Sequence, residues 1–207
     1  SHLLGEGKIE EFNGIIRKSY HLMMFSSIPV TFGIMLMARP VMICFCGAEY
    51  VDAIPVIIYT APTIVFIAMT QVIGIQILYP YGKENLVIYS TLAAASLNII
   101  LNILLIPSFA ETGAAISTLI AEFSVLVVQV RLGKEYIPFR ILDHRIGTYL
   151  MASIVMSIGI FLCLPLSNVW WQFLSGTTVG LCVYFTTLYV KKDIVLLNVL
   201  DLIKAHI

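Results

Sequence analysis

The sequence predicts an all-α integral membrane protein, a polytopic bundle of six transmembrane helices. Hydrophobic residues make up 59% of the 207 positions and charged residues only 12%, about half the charged share of a soluble domain. The apolar residues also gather in runs of roughly 20 or more, the length a helix needs to cross a hydrocarbon core. These runs are too long for barrel strands and show no alternation of period two, which excludes a closed β-barrel.

The spans are expected at Tyr20–Cys46, Ala53–Tyr79, Leu86–Pro107, Thr112–Val130, Ile146–Leu166 and Trp170–Val190. The first two are long enough to tilt or bend, and Pro29 and Pro62 inside them are expected kinks. Around the spans the chain divides into a lead-in (1–19), four helices (20–132), a linker (133–145), two further helices (146–190) and a tail (191–207). Gly5–Tyr20 reads as an amphipathic helix at the membrane interface. Lys134–Arg145 mixes basic and aromatic residues, as an interfacial linker does. The chain opens on Ser1 with no signal peptide before it, and reads as a piece of a longer protein.

Charge sets the expected orientation. Lys8, Arg17, Lys18, Lys83, Arg131, Lys134, Arg140, Arg145, Lys191, Lys192 and Lys204 all fall on one side, eleven of the twelve Lys and Arg residues. The short opposite loops carry Glu49, Asp52 and Glu111 instead. By the positive-inside rule both ends are cytoplasmic and the protein is a multi-pass protein of the cytoplasmic membrane. Formal net charge is zero, and nothing in it points to nucleic acid.

Polar residues inside the spans are the candidate functional groups, because each is costly there without a partner or a water-filled cavity. Arg39 lies about 10 Å below the outer end of its span, and Pro40 after it is expected to break the helix. Glu122 lies roughly 15 Å into its helix, close to mid-membrane, and Asn98 reaches a similar depth. Asn102 follows Asn98 one turn on, along the same face. Gln71 and Gln76 belong to the inner part of the second span. Two readings stand for these groups: they line one aqueous cavity facing a polar substrate, or they bond across packed helices as structural glue. Gly113-x-x-x-Ser117 and Gly176-x-x-x-Gly180 read as close-packing faces.

Enzyme chemistry finds no support. The four histidines (His2, His21, His144, His206) are scattered without metal-ligand spacing, and no HExxH, Walker A or G-x-S-x-G motif is present. Cys44, Cys46, Cys163 and Cys182 fall in apolar runs, as small hydrophobes do. No metal or cofactor is expected.

One arrangement has a family look. A helix ends at "NIILNILLIP", a six-residue turn follows at Pro107–Thr112, and "TGAAISTLIAE" returns. Together with "CFCGAEYVDA" (Cys44–Ala53) and "QILYPYGKENLVIYST" (Gln76–Thr91), this resembles the bacterial O-antigen and capsule-repeat flippases of the multidrug/oligosaccharidyl-lipid/polysaccharide exporter superfamily. The resemblance covers about Ser1–Glu122; the last two helices match in number and hydrophobicity alone. It implies the last four helices of the second lobe of a larger transporter plus two extra helices, partnered by a first lobe not included in this sequence. The implied substrate is an undecaprenyl-diphosphate-linked oligosaccharide, moved between leaflets by alternating access. Arg39 would then attract the diphosphate, and Gln71, Asn98 and Asn102 would meet sugar hydroxyls, with Glu122 paired or facing water. The rival readings are a cation-coupled multidrug exporter of the same superfamily, a peptidoglycan-precursor flippase, a membrane enzyme or ligase of polysaccharide assembly, and an assembly scaffold.

Overall fold

The computed structural model describes residues 4 and 6–205; His2 and His206 lie outside the described residues. The described chain is helical, with α1 over Ile9–Leu36, α2 over Ala38–Phe45, a 3-10 turn at Ala48–Ala53, α3 over Ile54–Thr60 and α4 over Thr63–Thr70. A π-helical segment over Gln71–Leu78 follows, then α5 over Glu84–Gly133, α6 over His144–Cys163, α7 over Val169–Val190 and α8 over Ile194–Ala205. Five helical segments among the described residues are long and apolar enough to span a membrane. The chain folds as two compact units. The first takes the chain as far as Met24 together with Pro62–Ile141; the second takes Phe25–Ala61 together with the chain from Leu142 onward.

In the first unit α5 is a hairpin rather than one rod. Fifty unbroken residues would measure about 75 Å, and Ser90 and Gln129 would stand about 58 Å apart. Instead the Gln129 Nε2 donates to Ser90 Oγ at 3.2 Å. The reversal is at Ala110, whose φ of 46° and ψ of −130° are not helical. Six passes therefore come from five segments. A Cβ on Gly113 would sit 2.6 Å from the Leu105 carbonyl oxygen, so the second arm lies directly on the backbone of the first. The buried positions Gly113, Ser117, Ala121, Gln129 and Gly133 recur at multiples of four along the second arm, the spacing of one helical face.

The π segment closes on a Schellman turn. Lys83 N–H donates to Leu78 O at 2.8 Å and Gly82 N–H to Tyr79 O at 2.9 Å, with Gly82 at φ 66° in the left-handed conformation that the motif needs. Beyond the second arm, the linker is tied down on α1. Tyr20 Oη donates to Ile141 O at 2.7 Å, Arg17 donates to Pro138 O at 3.1 Å, and the Tyr20 ring stacks on Phe139. α1 runs through Tyr20 without a break, so the lead-in from Ile9 onward and the first span are one helix.

The second unit is organised by prolines. Pro29 has no N–H to offer Phe25 O, four residues back. Tyr184 Oη, from α7, donates to that carbonyl at 2.7 Å. The break at Pro62 likewise leaves Ala61 O without its helical donor, because Val65 N–H goes to Pro62 O; Thr31 Oγ1 supplies a hydrogen bond at 3.3 Å. Pro40 withdraws the donor for Leu36 O, and the span Tyr20–Cys46, in which Pro40 was expected to break the helix, is split at Met37 into α1 and α2. α6 and α7 form a close pair. A Cβ on Gly159 would lie 3.2 Å from Val179 and Val183, and one on Gly180 3.1 Å from Ile160. Asp143 and Asn168 cap these two helices, Asp143 Oδ1 accepting from Arg145 N and Ile146 N, and Asn168 Oδ1 from Trp170 N. The four cysteines are free.

The hairpin geometry makes two predictions of opposite sign. Ala110→Gly relieves a left-handed alanine and stabilises by about 1 kcal/mol. Gly113→Ala drives a methyl into the Leu105 carbonyl and destabilises by roughly 1–3 kcal/mol. Thermal unfolding in detergent should show the first midpoint rise and the second fall.

Candidate functional site

The hairpin arms set the level of the polar residues. Because Gly113 meets Leu105 and Gln129 meets Ser90, Asn98 stands level with Ala121 and Glu122, and Asn102 with Ser117. Asn102 Nδ2 donates to Asn98 Oδ1, which the i to i+4 spacing on one helix face allows. Asn102 Oδ1 is itself buried without a partner. Both asparagines are half-buried, and so is Glu122, one residue before Phe123, whose ring packs on Phe66 at 5.3 Å. On the facing arm Ser117 Oγ and Thr118 Oγ1 turn back to the carbonyls of Gly113 and Ala114. The hairpin thus presents two carboxamides and a carboxylate within one stretch, with hydrogen-bonding capacity left over at Asn102 and Glu122.

Of the five residues singled out in the sequence, four belong to the first unit. Gln71 is exposed at the start of the π segment, level with the stretch of the second arm just beyond Glu122. Arg39 belongs to the second unit, exposed on the first turn of α2 between the buried Ala38 and Pro40. The break at Met37 is what releases that turn from the register of α1. Among the described residues no three His, Cys, Asp or Glu side chains come together as a metal site would require.

Sequence reasoning missed the most deeply buried polar pair. Gln129 is 2% exposed and Ser90 fully buried. Their hydrogen bond joins the two arms, and Ser90 Oγ passes its own proton to Val87 O at 2.7 Å. A Cβ on Gly74 would come within 3.3 Å of both amide atoms of Gln129, so this glycine is what lets the π segment approach. The signal was present in the spacing: Gln129 stands on the Gly113, Ser117, Ala121 face, two turns after Ala121.

The second unit contributes an apolar groove of about 440 Å³. Phe25, Pro29, Gly33 and Met37 of α1 and its end form one wall, and Ile160 of α6 and Gly180 of α7 stand opposite. Its surface is almost wholly hydrocarbon, so an alkyl or isoprenoid chain would fit without stranding a polar group. Gly33 lines the groove with open space in front of it.

The sequence profile described as "Lipid II flippase MurJ" matches residues 1–190. The chain belongs to the MurJ lipid II flippase family. It is a multi-pass membrane protein and a transporter-family member, not an enzyme. The chain is 27% identical over 180 residues to the "Probable low-salt glycan biosynthesis flippase Agl15" of Haloferax volcanii, covering 86% of this chain and 38% of that protein. It is 28% identical over 166 residues to the "Uncharacterized membrane protein MJ1068" of Methanocaldococcus jannaschii, covering 77% of this chain and 31% of that protein. Among solved structures, "Lipid II flippase MurJ, inward closed conformation" superposes with a TM-score of 0.80 at 18% identity, over 91% of this chain and 41% of that one; at that identity the match establishes the all-helical fold. The chain spans about a third to two fifths of the proteins it matches.

The family placement supports the coarser part of the resemblance, a flippase of lipid-linked glycans in that superfamily, and does not single out the O-antigen and capsule branch. The reason is physical. Pro107 and Gly113 shape a helical hairpin, Gly113 by backbone contact with Leu105, and Asn98 bonds Asn102 within it. Residues that build a hairpin carry little information about the glycan it serves.

The arm-to-arm bond can be tested by stability. Ser90→Ala leaves the Gln129 amide N–H buried and unpaired, at a cost of about 1–3 kcal/mol. Adding Gln129→Leu removes the stranded group, so the double variant should be more stable than Ser90→Ala alone. Denaturant titration of the purified variants reads both.

Proposed function

We propose that the chain is the C-terminal part of a transporter that moves a polyprenyl-diphosphate-linked glycan across the cytoplasmic membrane by alternating access, with both of its ends cytoplasmic. The family match over residues 1–190 carries this reading. The surfaces described above agree with it. An amphiphile with a long apolar tail and a sugar head needs two kinds of wall. Taken each by itself, the groove of the second unit is an apolar wall of the kind a tail needs, and Asn98, Asn102, Gln71 and Glu122 of the first unit are hydrogen-bonding groups of the kind a head needs. Arg39, exposed and cationic on the turn after the Met37 break, serves as the electrostatic partner of the diphosphate.

The glycan is an oligosaccharide unit or a peptidoglycan precursor. The family's description favours the latter, and the printed name of the Haloferax volcanii relative favours a glycan-biosynthesis substrate. The deciding experiment uses the full-length polypeptide in proteoliposomes and follows a polyprenyl-diphosphate oligosaccharide, lipid II and a cationic dye in parallel. Movement of either glycolipid without dye export supports the proposal and selects the head group. Dye export alone assigns the protein to drug export.

Two variants test the residues. Gly33→Leu fills the groove without steric conflict, since nothing lies within 4 Å of the position; it should slow glycolipid movement while leaving thermal stability unchanged or raised. Arg39→Ala should slow movement by about tenfold or more, the scale of one lost charge-assisted hydrogen bond, at equal protein level, with Arg39→Lys retaining part of the rate. Wild-type transport by Arg39→Ala removes the arginine from the mechanism.

A further inference from the structure

The linker that leaves the second arm of α5 carries more organised charge than membrane topology requires. Tyr136 N–H donates to Gly133 O at 2.9 Å, turning the chain at the end of the arm. The strip Tyr136–Arg140 is then held at two points. Arg17 Nη2 donates to Pro138 O at 3.1 Å. The Lys83 ammonium stands over the Tyr136 ring, 5.6 Å from its centroid. Tyr136 and Pro138 are two residues apart, at most about 7 Å along the chain, so Arg17 and Lys83 reach the same short stretch. Lys134 precedes that stretch and Arg140 ends it. All four cations are exposed, and all four belong to the first unit.

These charges are not spent on protein carboxylates. Among the described residues none of the four is held in an ion pair, although Glu84 follows Lys83 and Glu135 follows Lys134 in the chain. Glu10 and Glu11 stand on the first turn of α1, roughly 10 Å along the axis from Arg17. Arg17 uses one nitrogen on Pro138 and keeps further N–H donors on its guanidinium. The cations also sit among rings. Phe12 meets Tyr81 at 5.9 Å, Tyr81 meets Tyr136 at 5.2 Å, and Tyr20 stacks on Phe139 at 4.5 Å. Exposed cations set in an aromatic floor at the end of membrane spans match the chemistry of the head-group layer.

We propose that Arg17, Lys83, Lys134 and Arg140 form a binding site for the phosphate head group of an anionic membrane lipid. Phosphate oxygens supply the acceptors that the guanidinium and ammonium donors lack here. The positive-inside bias asks only for a count of charges. It does not ask that Arg17 be fixed on a carbonyl and Lys83 on a ring beside the same strip. A soluble phosphate would meet the same cations, but it has to be collected from dilute solution. A lipid is already held at this level by its chains, which keeps its local concentration high. The site does not depend on what the transporter carries, and its test needs no transported substrate.

The experiment uses the full-length polypeptide in proteoliposomes containing a photoactivatable phosphatidylglycerol, with a phosphatidylcholine probe of the same chains in parallel. Adducts are mapped by peptide mass spectrometry. Phosphatidylglycerol should mark the strip Tyr136–Arg140 in preference to phosphatidylcholine. The preference should fall about fivefold for each charge removed in Lys134→Gln and Arg140→Gln. The pair Lys191→Gln/Lys192→Gln, in the other unit, should leave it unchanged. Exchanging the two cations, Lys134→Arg with Arg140→Lys, keeps the charge and should keep the preference; its loss assigns the effect to packing and overturns the site. Equal marking by the two lipids overturns it as well. So does an equal loss in the Lys191/Lys192 pair, because the attraction is then diffuse. Displacement of the lipid by millimolar inorganic phosphate replaces the lipid by a soluble anion and overturns the assignment.

Discussion

Every backbone carbonyl inside an apolar slab has to find a donor, and this fold is arranged around the places where proline takes one away. A soluble protein can leave such a carbonyl to water; a membrane span cannot. Phe25 O is released by Pro29 and receives the Tyr184 hydroxyl. Ala61 O is left over at the Pro62 break and receives Thr31. Each repair comes from a different helix, so each one also fixes a neighbour. The carbonyl that Pro29 releases in α1 and the seat of α7 in the second unit are one interaction seen from two sides. The groove opens beside it, where Pro29, Phe25 and Tyr184 all contribute wall.

The first unit solves a different problem with the smallest side chains. Gly113 admits the Leu105 backbone, Gly74 admits the Gln129 amide, and Gly133 admits Leu78. Close approach makes dispersion and short polar contacts effective where no hydrophobic drive between helices exists. It also holds the polar groups of the two arms at fixed levels, which is why Asn98, Asn102 and Glu122 fall in one stretch although 24 positions of chain separate the first from the last. The positions of these residues follow from the hairpin, and their chemistry from what the hairpin leaves unpaired.

Much of this was legible in the sequence, for definite reasons. Hydropathy fixes span lengths because the bilayer imposes one length on all of them, so six passes could be read without any contact. Pro62, Pro40 and the Pro107–Thr112 turn were visible as breaks, because proline acts locally; Pro29, read as a kink, lies inside the unbroken α1. What repairs a break is not local: nothing near Pro29 points to Tyr184, 155 positions further on. The π register was hidden for a related reason. Its only local mark is the face of Val72, Ile73, Ile77 and Leu78, which fits helical spacing of either kind. Of the site residues, type and depth were readable for all five. Their grouping, four in one unit and Arg39 in the other, depends on which helices pack together, and the hydropathy pattern does not encode that.

The same distinction explains why the family could be approached from motifs and the branch could not. A motif such as Asn98-x-x-x-Asn102 with Pro107 and Gly113 records constraints of backbone contact, and these are shared wherever the hairpin is used. Under the proposed reading, substrate choice would rest on groups with free bonding capacity, of which the first unit leaves few: the Asn102 oxygen and the Glu122 carboxylate of the hairpin, and the exposed Gln71 of the π segment. A handful of unpaired groups at set heights suits a head group recognised by a few contacts, while the apolar groove imposes no sequence of its own on a tail. Under the proposed reading, specificity for the glycan would therefore be concentrated in very few side chains, and the bulk of this chain would be free to conserve a shape rather than a substrate.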